Sequence, residues 1–173
     1  MLAFLEILKY ILPSGVVLAT AYFLLKMFFD QEKMRKGVDI KIKSQRVTLP
    51  IRLQAYERIV LFLERISPDN LVMRLANPRY TAQQMQMELI SAVRSEFEHN
   101  MSQQLYVSDE AWTLVKNAKE EVIKLINTSL GQLNDNATAH ELSAKVIEMY
   151  ASIPNFPTNI AMEFAKQEIR RVF

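Results

Sequence analysis

Apolar residues are arranged in two different ways along this chain. From Leu2 to Phe29 they run almost unbroken, with Glu6, Lys9 and Lys26 the only charged side chains. From Pro50 onward they recur every three or four positions, the period of a helix with one buried face. At about 1.5 Å per residue, the first run is long enough to cross the roughly 30 Å hydrocarbon layer of a bilayer. Lys26 falls near its end, where a long stem can reach the headgroups. The pattern predicts one N-terminal transmembrane helix. Ala19-Thr20-Ala21 has the small-x-small form of a signal cleavage site, but the residues before the core are apolar and acidic. The apolar run also continues past Ala21, so an uncleaved anchor is expected.

Helix boundaries are marked in the second part. Thr48-Leu49-Pro50 predicts a start, with a helix to about Ile66; Ser67-Pro68-Asp69 starts a short one to about Leu75. Thr81-x-x-Gln84 and Thr138-x-x-Glu141 resemble capping boxes, opening helices to about Tyr106 and Ser152. Ser108 caps a helix to about Leu133, and the last runs from about Pro157 to Val172. Gly37 interrupts the first helix, and the alternation of Ile and Lys from Val38 to Val47 suggests a short extended tether. The expected organisation is 1–36, anchor and basic flank; 37–48, tether; 49–173, helical domain. The fold class is all-α, with the anchor followed by a bundle of about five helices.

Composition narrows this further. Three glycines in 173 residues are too few for a sandwich or a Rossmann domain. A net charge of +2 argues against a nucleic-acid partner. The absence of cysteine excludes disulfides and lipoprotein acylation. The cations Lys33, Arg35, Lys36, Lys41, Lys43 and Arg46 follow the span, whereas only Lys9 and the terminal amine precede it. The positive-inside rule then puts Met1 outside and the helical domain in the cytoplasm.

Some polar residues sit on the wrong faces. On the helix from Pro50 the stripe is Leu53, Tyr56, Ile59, Phe62, Leu63 and Ile66, and Arg52 projects within about 20° of Ile59. On the next long helix the stripe is Leu89, Ile90, Val93, Phe97 and Met101; Asn100 and Gln104 share its sector, and Glu96 lies at its edge. Lys119 falls inside the stripe of Trp112, Val115, Val122, Ile126 and Leu133. Long charged side chains are rarely buried unpaired. Arg52, Glu96, Asn100, Gln104 and Lys119 are therefore expected to meet in one polar cluster. It could hold helix register or form a ligand site.

No catalytic constellation stands out. Glu96-x-x-His99 has the form used by di-iron bundles, but Ala137 occupies the matching position before His140. Zinc lacks ligands, and there is neither a phosphate loop nor a nucleophile elbow. No catalytic residue, metal or cofactor is expected.

The segments Leu49-Pro-Ile-Arg-Leu-Gln-Ala-Tyr-Glu-Arg58, Phe62-Leu-Glu-Arg-Ile-Ser-Pro68, Glu96-Phe-Glu-His-Asn100, Gln103-Gln-Leu-Tyr106 and Asp109-Glu-Ala-Trp112 resemble a domain-of-unknown-function family. That family comprises small, singly anchored helical proteins of Bacteroidota. The resemblance implies a bacterial inner-membrane location and no particular chemistry. The expected role is a membrane-tethered interaction module, or an accessory subunit of an inner-membrane complex. Its partners would be the bilayer and a membrane or cytoplasmic protein, with self-association left open. The alternative is an enzyme or small-ligand binder working at the polar cluster.

Overall fold

Short polar residues set most of the helix starts. The computed structural model describes residues 2–171, with side chains described from residue 15 onward except 19 and 33–45. Among the described residues there are six α-helices and no strand. They are α1 (Leu2–Ile66), α2 (Pro68–Leu75), α3 (Ala82–Asn100), α4 (Asp109–Gly131), α5 (Ala139–Ala151) and α6 (Pro157–Arg170). A 3-10 turn, Met101–Leu105, follows α3. The all-α expectation is met.

Both capping boxes are closed. Thr81 Oγ1 accepts from the Gln84 N–H while Gln84 Oε1 takes the Thr81 N–H; Thr138 and Glu141 do the same. Each box satisfies amides that a helix start would otherwise leave bare. The two starts lie side by side through an antiparallel bridge, with Ala82 N donating to Ala137 O at 3.0 Å and Ala139 N to Tyr80 O at 3.2 Å. Pro68 and Pro157 open α2 and α6, where a missing N–H costs nothing.

Two expectations about helix ends are corrected. The backbone stays helical through Gly37 and the Val38–Val47 stretch, where an interruption and an extended tether are expected. A single interior glycine costs only about 1 kcal/mol, and the lysines and isoleucines that follow it tolerate a helix. At the other end, α3 stops at Asn100 instead of reaching Tyr106, and the chain tightens into the 3-10 turn.

The chain divides into two compact units, Met1–Leu49 and Pro50–Phe173. The division falls at Pro50, whose ring leaves the Arg46 carbonyl without its helical donor. In the first unit, the described apolar side chains from Val16 to Phe29 are all exposed. Among the described residues no helix is long and apolar enough to cross a membrane. The first half of the expected span, residues 2–14, lies outside the residues whose side chains are described.

The second unit holds the core. Ile59, Phe62, Leu63 and Ile66 of α1 are buried with Leu71 of α2, Met85, Leu89 and Val93 of α3, Val115, Val122 and Ile126 of α4, and Leu142 and Val146 of α5. Phe97 bridges Phe62, at 6.0 Å between ring centroids, and Trp112, on which it stacks at 5.4 Å. The predicted stripes therefore face inward, except at two ends. Leu53 and Met101 are exposed, because Leu53 lies near the start of this unit's part of α1 and Met101 lies beyond the last turn of α3.

Candidate functional site

The five polar residues expected in one cluster occupy three places. Arg52 Nε donates to the Tyr106 carbonyl at 3.2 Å, so this cation fastens the loop after the 3-10 turn to α1. Glu96 is held by Arg65 and Arg74. Its Oε1 accepts from Arg65 Nε at 2.7 Å and lies 3.3 Å from Arg74 Nη1. Arg74 Nη2 also donates to the Arg65 carbonyl at 3.2 Å, locking the α1–α2 corner onto α3. Lys119 stays on α4, with Nζ 4.6 Å from the centre of the Phe97 ring and 2.7 Å from Glu120 Oε1.

The separation is both axial and angular. Arg52 and Arg65 are thirteen positions apart on one helix, roughly 20 Å along its axis and about 140° apart around it. Angular position can be read from spacing, but height against a neighbouring helix cannot.

The two amides also part. Asn100 Nδ2 turns back to the Glu96 backbone carbonyl at 2.8 Å, satisfying its own helix end and touching no cation. Gln104 is exposed, and its neighbour Gln103 is buried instead. The shift follows from the 3-10 turn, which advances about 120° per residue in place of 100° and rotates the inward position by one residue.

Glu96 joins α3 to two arginines, Arg65 of α1 and Arg74 of α2. Its carboxyl is 18% exposed, whereas Arg65 is 52% exposed. Burial alone would raise the carboxyl's pKa, but the hydrogen bond and charge of Arg65, and then Arg74, hold it below the ordinary value. Arg65 is correspondingly held above its own. Neither arginine is anticipated from the sequence, where Arg65 lies on the solvated face. The usable signal is that Glu96 sits at the edge of its stripe, so its partner should also sit at an edge, and Arg65 is next to Ile66. The Glu-x-x-His motif joins no metal set: His99 Nδ1 bonds the Ser95 carbonyl at 2.7 Å. Among the described residues no group of three or more His, Asp or Glu is placed to hold a metal ion.

A second polar knot, also unforeseen, ties three helices. The Tyr56 hydroxyl accepts from Ser108 N at 3.1 Å. Ser108 Oγ caps Ala111 N at 3.1 Å and donates to Glu168 Oε2 at 2.8 Å. Burial first, then the Glu168 carboxylate, push the Tyr56 hydroxyl up, against the lowering effect of the Ser108 N–H. The phenol keeps its proton. The knot pins α6 to α1 and to the start of α4.

Beside this knot an almost wholly apolar groove opens between α1 and α6. It is lined by Leu53, Tyr56, Val60, Ala165 and Ile169, with Glu57 and Lys166 on its rims.

The fold and these features define an all-helical protein whose polar clusters brace helix packing. Residues 2–172 match a family of unknown function, DUF7935, and the chain belongs to it. No curated protein and no solved structure matches it.

Proposed function

We propose that this protein is a membrane-tethered interaction module, an accessory subunit held at the cytoplasmic face of a bacterial inner membrane and not an enzyme. The observation that carries this reading is the row of exposed apolar side chains from Val16 to Phe29, ten of which are large and at least 56% exposed. Water disfavours such a row by about 25 cal/mol per Å² of apolar surface, and a bilayer removes the penalty. The sequence continues the apolar run upstream to Leu2, and the cations after Phe29 favour retention on the inner face. The polar clusters support binding over catalysis, since each charge or hydroxyl in them is committed to a structural partner.

The test is alkaline carbonate extraction of membranes from cells making the full chain. Retention in the pellet is expected; release into the supernatant overturns the anchor. Orientation is tested with Met73→Cys, an exposed position in a chain without native cysteine. An impermeant maleimide should label it only after spheroplasts are permeabilised. Labelling of intact spheroplasts overturns the cytoplasmic assignment.

A further inference from the structure

The apolar groove between α1 and α6 is left open by the fold. Leu53 is 41% exposed and Leu61, at its edge, 53% exposed, although α1 is otherwise a core helix here. Its two rims carry opposite charges: Glu57 stands on α1 and Lys166 on α6. Both side chains are exposed, and neither makes an ion pair or side-chain hydrogen bond among the described residues. An apolar floor between unpaired opposite charges matches a copy of itself. Across a two-fold axis along the groove, each Glu57 meets the other copy's Lys166, and Leu53, Val60 and Leu61 of α1 lie over Ala165 and Ile169 of the other copy's α6.

We propose that this groove is a homodimer interface, in which the α1–α6 face of one chain packs on the same face of a second through two reciprocal Glu57–Lys166 pairs. The proposal rests on the interaction-module reading and names its first partner. Tethering in one bilayer would raise the local concentration of the two copies.

Two readouts on the full chain test it. Leu53→Cys, made in the cysteine-free chain and treated in membranes with a short bis-maleimide, should give a cross-linked dimer. Leu105→Cys and Met73→Cys, both exposed elsewhere, should not. In detergent, Glu57→Lys and Lys166→Glu should each weaken self-association about tenfold or more by setting like charges together. An equal mixture of the two single variants should restore it, because each mixed pair again joins opposite charges. Unchanged melting of the singles shows that they fold. A monomeric wild-type chain overturns the proposal. So does equal cross-linking at all three cysteines, or a Leu53→Cys adduct to a different protein. Failure of the mixture to recover overturns the charge pairing and with it the two-fold arrangement. Release from membranes in carbonate would sink the anchor reading while leaving the detergent measurements to decide the dimer.

Discussion

Two stretches of one helix carry similar apolar side chains and treat them in opposite ways. Between Val16 and Phe29 they stand in the open; between Ile59 and Ile66, the residues Ile59, Phe62, Leu63 and Ile66 are at most 1% exposed. The local physics is the same, since both stretches are helical and rich in Leu, Phe, Val or Ile. The difference lies in what surrounds them. The later stretch alternates apolar with charged residues, so α2, α3 and α4 can cover one face while Glu57, Glu64 and Arg65 face water. The earlier stretch shows no such alternation, with Lys26 its only charge, and none of its described apolar side chains is covered. Fold stability should therefore be concentrated in the second unit, and sensitivity to the surroundings in the first.

The contrast is broken most directly in the core. Phe62→Ala should cost about 3–5 kcal/mol, because it removes a buried ring and opens a cavity beside Phe97. Phe23→Ala in the exposed row should shift the same unfolding transition by less than about 0.5 kcal/mol. Denaturant melts of the full chain in detergent, followed by Trp112 fluorescence, measure both. Comparable losses would mean that the first row packs against protein.

The caps come next. Thr138→Ala removes the acceptor of the Glu141 N–H and weakens the bridge between two helix starts, so a loss of about 1 kcal/mol is expected in the same melt.

A smaller effect separates the two charged contacts of α1. Arg65→Met and Glu96→Gln should couple in a double-mutant cycle by up to about 1 kcal/mol, kept small because water screens the half-exposed Arg65. Arg52→Met and Glu96→Gln should add within about 0.5 kcal/mol, since they share no partner. Coupling in the second pair would restore the single cluster expected from the sequence.

Acid should read out the same clasp. The folded Glu96 carboxyl lies below its unfolded value of about 4.3, so its contribution is full above that pH and fades as pH falls through the lower folded value. Between those two values the wild-type chain should lose stability more steeply than Glu96→Gln. Equal slopes would show that the arginines do not favour the charged form.

The candidate site was only half legible. Helical spacing identified Glu96 and Lys119 as polar groups near apolar faces, and both are half-buried. It erred by treating angle as proximity, bringing Arg52 and Lys119 to Glu96 when each had a nearer partner in the Tyr106 carbonyl or the Phe97 ring. It erred at Gln104 because α3 changes pitch at Met101. Tyr56, Ser108 and Glu168 were not legible as a group, since they stand 52 and 60 positions apart and no local pattern links them.

Local interactions are written in the chain itself. Thr81, Ser108 and Thr138 each cap within three residues, Pro68 and Pro157 start helices by their own geometry, and a three-to-four spacing sets which face turns inward. The sequence by itself thus determined an all-helical fold, most of its boundaries and most of its core. Tertiary structure decided the heights at which the helices meet, and therefore that Glu96 takes Arg65 and Arg74, that Tyr56 reaches Ser108, and that Leu53 is left open beside α6. Those outcomes depend on how far one helix slides along another, a quantity set by the packing of the whole core.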